Sequence, residues 1–587
     1  MVFINLIRKV DFNSCRSHFY LTKTFISIKK IGTICAFGLK KPDKHLQVVF
    51  TSLDSLILLV YLIIVLSLGL YFSGKKEQSY EDYFLAGRKM GWITIGFSIF
   101  AANISSEHFI GLAGAGAARG LAVGQFELMA IFILILLGWI ISPIYIKAGV
   151  VTTPEFLEKR FDPSLRKPFA VISIVIYIFT KISVTLFAGG ILFYKMFGLN
   201  IYTSAIMIIL FTGLYSVLGG ATAVMKTHVF QAIVLIVGAL LLTIFGLKAV
   251  GGFSGLQTKL PHNFFNMFKS IHDPEYPWTG VIFGAPIIAF WYWVTDQYFV
   301  QKILSAKSLN DARRGSLFAA ILKALPIFIL VLPGLIAAGL FQNIKGDEAY
   351  TALLGSNILP IGIRGIVLAG LLSAIMSSLS SVFNTVSVLF TNDFYKVNKP
   401  DASERELVLV GRLSTTVIVI LAIICVPLVK LISSQVYLYL QSIQGYISPP
   451  IAAVFLWGFL LKKVNARAAI ITLVIGEGIG LFRLILELIY GSNLSGMGMF
   501  SPIVSVNFLH FSIFLFLLCS TIILVISYLP KAREKAGISS VKYLVPNSFS
   551  ELVINFSSSR SKGASYINVM MSAFILLVII GLWSLWS

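Results

Sequence analysis

Long apolar stretches, separated by short polar and charged loops, occur along almost the whole chain. A helix that crosses a membrane needs roughly 20 mostly apolar residues, and the chain contains about 14 such runs. These runs are Leu53–Tyr71, Trp92–Ala117, Leu121–Ile146, Ala170–Phe197, Ile201–Leu218, Val229–Leu247, Trp278–Phe299, Gly315–Phe341, Ile366–Phe390, Leu413–Val429, Val436–Leu461, Ala468–Tyr490, Phe511–Leu529 and Val569–Trp586. Strands of a membrane barrel would be shorter and would alternate apolar with polar residues. The pattern therefore predicts an all-α polytopic membrane protein.

The composition supports this interpretation. The chain is 57% hydrophobic and only 12% charged, whereas a soluble domain carries about a quarter charged residues. The net charge of +22 would suit a nucleic-acid-binding protein, but the basic residues lie in short loops and form no basic groove. We therefore expect most of the chain to be embedded in the lipid bilayer, and we expect no nucleic-acid partner. Outside the apolar runs the sequence contains no nucleophile–base pair, phosphate-binding loop or metal-ligand spacing, so it does not predict an enzyme.

Basic residues are unevenly divided between the two sides of the predicted membrane protein. When alternate loops are counted from Gly74 onward, roughly 27 Lys and Arg residues fall on one side and about 8 on the other. Cytoplasmic loops carry such an excess, so the basic side is predicted to be cytoplasmic. An even number of spans then places both termini outside, in a multi-pass protein of the cell membrane.

Residues 1–50 form a strongly basic tail, which conflicts with this orientation because the tail would lie outside. The tail is not a typical signal peptide, since no compact apolar segment precedes a cleavage site made of small residues. Two explanations stay open. Translation starts nearer Val48, which we favour, or the tail is a genuine extension of the chain.

Two apolar runs carry polar residues at mid-depth, as interrupted helices do at the binding sites of transporters. The run from Trp92 has Asn103–His108 in its middle, and the run from Trp278 has Thr295–Gln297 after a cluster of aromatic residues. They are about five runs apart, and an odd offset reverses the chain direction, as in two inverted five-helix repeats. The alternative is two ordinary helices with glycines for close packing. We predict an extra helix at 51–74, a first repeat at 91–251, a second repeat at 278–461, and three C-terminal spans at 465–587 with a cytoplasmic loop at 530–565.

The run at 365–395 is rich in hydroxyl side chains, among them Ser377 and Ser378. Neutral oxygens suit a hard cation that sheds water. These hydroxyls could join backbone carbonyls that the break near Asn103 leaves free. Serine is also used for packing in membrane helices, so the pattern favours a cation site without requiring one.

Other polar and aromatic residues inside the runs suit a polyhydroxylated ligand. Glu127 accepts hydrogen bonds, Lys323 donates them and Gln441 does both. Tyr292 and Trp293 offer flat apolar faces against which a sugar ring can stack. Each polar residue could instead make an interhelical contact, and the aromatic residues could belong to an interfacial belt.

Several longer strings stand in order between Leu53 and Trp586: FAANISSEHFIGLAGAGAARG, GQFE, TTPEFLEKRF, YIFTKIS, YSVLGG, WYWVTDQYFVQKILSAKS, GLLSAIMSSLSSVFNTVSVLFTNDFY and YLQSIQGYISPPIAAVFLWG. In order and spacing they resemble the sodium/glucose cotransporters of the sodium:solute symporter family. The resemblance implies a leucine-transporter-like fold, with one extra helix before the two inverted repeats and three after them. It also implies inward symport of sodium with a sugar such as glucose or galactose, by alternating access and without a further cofactor.

The resemblance also implies site residues. A sodium ion would be held by backbone oxygens and two hydroxyls, those of Ala101, Ile104, Ala374, Ser377 and Ser378. Sugar contacts would come from Asn103, His108, Glu127, Trp293, Lys323 and Gln441. Tyr292 would close the sugar off from the cytoplasm.

The chain departs from the family pattern at three positions. Ala289 stands where many members have a sugar-contacting Asn or Thr, which leaves the identity of the sugar open. Thr185 replaces an Asp of some animal members. His228 replaces an Asp that some members associate with cation release or a second cation. A histidine coordinates sodium poorly and titrates near neutral pH, so we expect one sodium per sugar, with proton coupling at His228 as the alternative.

Other solutes and functions stay open from the sequence. The same fold could carry a polyol, an amino acid, a nucleobase or a carboxylate, coupled to sodium or to protons. An amino-acid site would need paired recognition of carboxylate and ammonium, whereas Glu127, Lys323 and Gln441 beside Trp293 suit neutral hydroxyls. A non-transporting sugar sensor or a cation leak is a third possibility, against which the intact Ser377 and Ser378 argue.

Overall fold

The computed structural model describes residues 51–73, 79–186, 189–190, 200–344, 346–425, 436–490, 501–529 and 564–586. The basic tail at 1–50 and the loop predicted at 530–565 lie outside the described residues, except for the last two positions of that loop. Within the described part of the chain, 12 helices are long and apolar enough to cross a membrane. This confirms the predicted all-α polytopic architecture.

The described α-helices are Ser52–Ser73, Tyr80–Leu85, Trp92–Asn103, Ala113–Arg119, Gln125–Leu136, Ser142–Ala148, Thr153–Arg160, Arg166–Ile176, Ile201–Val250, Gly252–Lys259, Trp278–Phe283, Ala285–Phe290, Gln297–Leu304, Leu309–Leu322, Leu332–Leu340, Ala349–Gly355, Ile363–Phe390, Lys396–Asn398, Glu404–Cys425, Val436–Leu460, Ala466–Tyr490, Ser501–Ser505, Phe508–Tyr528 and Ala564–Leu585. Wider π-helical turns occur at His108–Leu112, Leu137–Ile141, Tyr177–Ile182, Trp291–Thr295, Ile327–Val331 and Thr391–Tyr395. Such turns are frequent at functional sites.

The structure does not confirm the predicted number of about 14 spans. The runs predicted at Ile201–Leu218 and Val229–Leu247 form one helical segment, Ile201–Val250, which we call the long helix. It bends sharply at Gly220, whose φ of 54° and ψ of −151° fit a residue without a side chain. The segment Trp92–Asn103 is too short to span a membrane alone. The count therefore stays a prediction.

The helix Ile363–Phe390, which we call the serine helix, lies in the core of the bundle and is buried along almost its whole length. It packs along the long helix and against the N-terminal helix Ser52–Ser73. Asp54 of the helix Ser52–Ser73 fixes the start of the serine helix. Its carboxylate accepts hydrogen bonds from the backbone N–H groups of Gly362 (3.0 Å) and Gly365 (2.9 Å). These bonds satisfy donors that a helix start otherwise leaves unpaired.

Both interruptions expected from the polar positions are present. The first broken helix runs through Trp92–Asn103, becomes extended at Ile104 (ψ 112°) and resumes as a helix at His108–Leu112. The second broken helix is interrupted at Asp296, whose φ of −72° and ψ of 119° are not helical. Helix ends leave backbone carbonyls without intrahelical partners, so both breaks expose oxygens inside the protein.

Candidate functional site

A cavity lies between the two broken helices, and every residue predicted to contact the sugar lines it. Those residues are Asn103, His108, Glu127, Tyr292, Trp293, Lys323 and Gln441. The remaining lining comes from Glu107, Phe126, Ala130, Ala285, Ile288, Ala289, Leu440 and Gln444. Positions that are far apart in the sequence thus meet at one site, which combines an apolar wall with a few polar groups, as binding sites for small molecules do.

The ammonium of Lys323 organises the polar side of this cavity. It forms an ion pair with Glu127 and donates a hydrogen bond to Asn103 Oδ1 at 2.5 Å. Asn103 Nδ2 in turn donates to the hydroxyl of Tyr292 at 3.3 Å. Lys323, Glu127 and Asn103 are each only 3% exposed. The array offers fixed donors and acceptors next to each other, which is what a ligand with several hydroxyls requires.

Aromatic and amide groups complete the cavity. The Lys323 ammonium lies 5.4 Å from the centre of the Trp293 ring, so polar and aromatic walls adjoin. The backbone N–H of Ser105 donates to His108 Nδ1 at 3.5 Å, which orients the imidazole at the first break. Gln441 lines the cavity from the helix Val436–Leu460.

The oxygens predicted to hold sodium also lie together, where the first broken helix contacts the serine helix. Ser377 Oγ lies 2.6 Å from the carbonyl oxygen of Ala101 and 3.1 Å from that of Ala374. Ser378 Oγ lies 3.5 Å from the carbonyl oxygen of Ile104. All of these residues are buried. At these distances the hydroxyls donate hydrogen bonds to the carbonyls, and neutral oxygens of both kinds are the ligand type that a hard cation takes.

The oxygens predicted to hold sodium and the cavity share one structural element, the end of the helix Trp92–Asn103. Asn103 follows Ala101 by two residues, so the same helix end provides a carbonyl oxygen predicted to hold sodium and a side chain that lines the cavity. A change in the position of this helix end alters both sites together.

A model of the sodium:solute symporter family matches residues 83–476 of the chain. This protein belongs to the sodium:solute symporter family. Sodium/glucose cotransporter 1 of Ovis aries is 37% identical over 559 residues, which cover 87% of this chain and 84% of that protein. Sodium/myo-inositol cotransporter 2 of Sus scrofa is 40% identical over 476 residues, 74% of this chain and 70% of that protein. The protein is therefore a sodium-coupled solute symporter, and its family is one of transporters rather than enzymes.

A solved structure confirms the fold of this symporter. The substrate-bound, outward-open state of a sodium-coupled sialic acid symporter superposes with a TM-score of 0.68 over 82% of this chain and 98% of that chain, at 22% identity. The likeness shows the leucine-transporter-like fold predicted from the sequence.

His228 of the symporter lies on the long helix, outside the residues that line the cavity. Its Nδ1 is 2.9 Å from the hydroxyl of Ser98, and its Nε2 is 3.0 Å from that of Ser380. Ser98 belongs to the first broken helix and Ser380 to the serine helix, so the imidazole joins the two helices that carry the oxygens predicted to hold sodium. The histidine is completely buried.

Two polar residues of the cavity were not among the predicted sugar contacts. Gln444 follows Gln441 by three residues and lies on the same helix face, so the helical period contained the signal. Glu107 stands out in the sequence as a charge inside an apolar run, although the resemblance did not assign it to the sugar. In the structure Glu107 lines the cavity, and its carboxylate lies 3.9 Å from His108 Nδ1.

Proposed function

We propose that this symporter carries a sugar or a polyol inward together with sodium. The observation that supports this most strongly is the array of Lys323, Glu127 and Asn103 beside Trp293. The charges of Lys323 and Glu127 neutralise each other, so this part of the cavity offers hydrogen bonds without demanding a charged ligand. The names of the relatives, sodium/glucose cotransporter and sodium/myo-inositol cotransporter, agree with a neutral polyhydroxylated solute.

In this proposal sodium binds between the first broken helix and the serine helix. Its ligands are the carbonyl oxygens of Ala101, Ile104 and Ala374 and the hydroxyl oxygens of Ser377 and Ser378. In the structure the two hydroxyls donate hydrogen bonds to these carbonyl oxygens, and the bound ion replaces those hydrogen bonds by coordination. Sodium binding thereby fixes the end of the first broken helix and, with it, Asn103.

Transport then follows an alternating-access cycle. Sodium and solute favour the same state because both hold the end of the first broken helix, and this shared preference is the coupling. The ring of Tyr292 closes the cavity towards the cytoplasm until both ligands are present. A membrane potential contributes about 2.3 kcal/mol per elementary charge per 100 mV to sodium entry.

The test is uptake of radiolabelled glucose, galactose and myo-inositol into proteoliposomes with a sodium gradient, a proton gradient or neither. We expect sodium-dependent accumulation of at least one solute, and its loss in Ser378→Ala. Ser373→Ala is the matched control, because this buried hydroxyl of the same helix donates to the Ala369 carbonyl of its own helix. Absence of accumulation of all three solutes under the sodium gradient would contradict the proposed solute class.

Proton coupling through His228 is the second candidate. It is motivated by the imidazole that joins the first broken helix to the serine helix through Ser98 and Ser380. Solute accumulation driven by a proton gradient alone and abolished in His228→Gln would support this candidate. Coupling to sodium alone predicts uptake that does not depend on pH. Sodium-dependent uptake that stays constant between about pH 6 and 8 would therefore exclude proton coupling through His228.

A further inference from the structure

The ammonium of Lys181 lies in a cage of aromatic rings behind the cavity. It is 4.3 Å from the centre of the Tyr292 ring, 4.1 Å from that of Tyr298 and 5.2 Å from that of Phe299. The side chain is only 13% exposed. Cation–π contacts strengthen when the cation is removed from water, so Lys181 holds these rings in one arrangement.

An ion pair anchors Lys181 to the interruption of the second broken helix. Its Nζ lies 3.1 Å from Asp296 Oδ2, and Asp296 is the residue at which the helix breaks. The other carboxylate oxygen of Asp296 accepts hydrogen bonds from the backbone N–H of Tyr298, at 3.0 Å, and from the hydroxyl of Tyr177. Lys181 therefore contacts the hinge of the broken helix as well as the rings on both sides of it.

Tyr292 and Tyr298 connect this cage to the two proposed ligand sites. The Tyr298 hydroxyl lies 2.8 Å from the carbonyl oxygen of Ala102 and 3.2 Å from that of Ser378. The Ala102 carbonyl also accepts a hydrogen bond, at 3.1 Å, from the hydroxyl of Ser378, which is one of the oxygens proposed to hold sodium. The Tyr292 hydroxyl accepts a hydrogen bond from Asn103 in the cavity. A single ammonium thus contacts one ring linked to the cation site and one ring linked to the solute site.

We propose that Lys181 prevents sodium from crossing the symporter without solute. This proposal rests on the alternating-access function above. Before solute binds, Tyr292 is held by Asn103 from the cavity and by Lys181 from behind. Solute hydroxyls compete with Tyr292 for the Asn103 amide, so that after solute binding Tyr292 is held only by its contact with Lys181. The inner side therefore opens only after solute has bound. Lys181 touches neither ligand in this account and acts as a positioning residue.

The test is uptake of radioactive sodium into proteoliposomes in the absence of any organic solute. The wild-type symporter is expected to take up little sodium, whereas Lys181→Met, which keeps the stem and removes the charge, is expected to increase the uptake about tenfold or more. Lys181→Arg keeps the charge and is expected to stay near the wild-type rate. Because the assay contains no solute, an error in the proposed solute class leaves its results unchanged.

A second variant protects the test against a failure of Lys181→Met to fold. Asp296→Asn removes the ion pair, but its amide oxygen can still accept the hydrogen bond from Tyr298, so the helix start is preserved. We expect raised sodium uptake in this variant too. Wild-type rates in Lys181→Met and Asp296→Asn, with both proteins monodisperse in gel filtration, would overturn the proposal.

Two further variants show whether the effect is specific. Among the described contacts, Lys302 lies 4.6 Å from the Tyr298 ring and 5.7 Å from the Phe299 ring but does not stack on Tyr292. Lys302→Met is therefore the matched control and should keep the wild-type rate, and an equal leak would overturn the proposal. Adding Ser378→Ala to Lys181→Met should abolish the leak, and a leak that persists would show that sodium bypasses its site.

Discussion

Lys323 is the residue on which the polar side of the cavity depends, because its ammonium contacts both Glu127 and Asn103. Removing two charges from water is costly, and their mutual attraction offsets this only when the geometry is good. Loss of one partner leaves the other charge buried and uncompensated. The pair therefore ties ligand recognition to the local structure of the site.

Substitution of Glu127 by Gln tests this dependence. The change keeps the size and one acceptor oxygen but removes the charge that neutralises Lys323. We expect the solute concentration for half-maximal uptake to rise at least about tenfold, which corresponds to about 1.4 kcal/mol, with little change in the sodium concentration required. The measurement is solute uptake at saturating sodium.

Glu275→Gln is the control for that substitution. Glu275 pairs with Arg119 at 2.8 Å and does not line the cavity. It should keep the wild-type half-saturation. An unchanged half-saturation in Glu127→Gln would remove Glu127 from the set of solute contacts.

Residue types and family resemblance were enough to predict seven of the side chains that line the cavity, but not Glu107 or Gln444, nor the contacts behind the cavity. Tyr298 acts through its hydroxyl on the carbonyl oxygens of Ala102 and Ser378, which belong to two other helices. Backbone carbonyls are present at every position, so the sequence does not reveal which of them a tyrosine meets. Such non-local contacts depend on helix packing and become visible only in the structure.

For the helices, too, the sequence predicts the features that depend on local residue patterns but not those that depend on backbone conformation and packing. Polar residues at mid-depth in apolar runs indicated both broken helices, because lipid excludes unpaired polar groups unless a cavity surrounds them. The apolar pattern also indicated two helices within 201–250. The structure joins them at Gly220, whose backbone conformation lets the chain change direction without a loop. Hydrophobicity alone does not report that conformation, so the number of spans could not be fixed.

Gly220→Ala is expected to destabilise the symporter. A β-carbon at this position would lie 2.4 Å from the backbone oxygen of Tyr83, in a backbone region that side chains disfavour. We expect a loss of about 2 kcal/mol or more, seen as a lower apparent Tm of the purified protein. Gly478→Ala is the matched control, because a β-carbon there meets nothing within 4 Å and alanine favours a helix. Equal Tm values for the two variants would show that Gly220 tolerates a side chain.

At the scale of the whole molecule, the fold class can be predicted from the sequence because the membrane restricts which structures can span it. Backbone groups in lipid must be satisfied within the element, so long apolar runs leave few alternatives to helices. The structural likeness to a sodium-coupled symporter agrees with that argument. The direction of transport relative to the cell is a separate matter, because it depends on which loops face the cytoplasm.

The basic loops predict that orientation, and two exposed positions on consecutive loops can test it. His272 precedes and Lys307 follows the second broken helix, so they lie on opposite sides of the membrane. The Lys307 loop belongs to the basic side, which should face the cytoplasm. In intact cells, a membrane-impermeant maleimide should label His272→Cys, and it should label Lys307→Cys only after permeabilisation. The cage around Lys181 lies where the second broken helix leads from the cavity towards the Lys307 loop, so this result would place it on the inner side. The reverse labelling would place the cage and Tyr292 on the outer side, and an inward sodium gradient would then meet the closed side first.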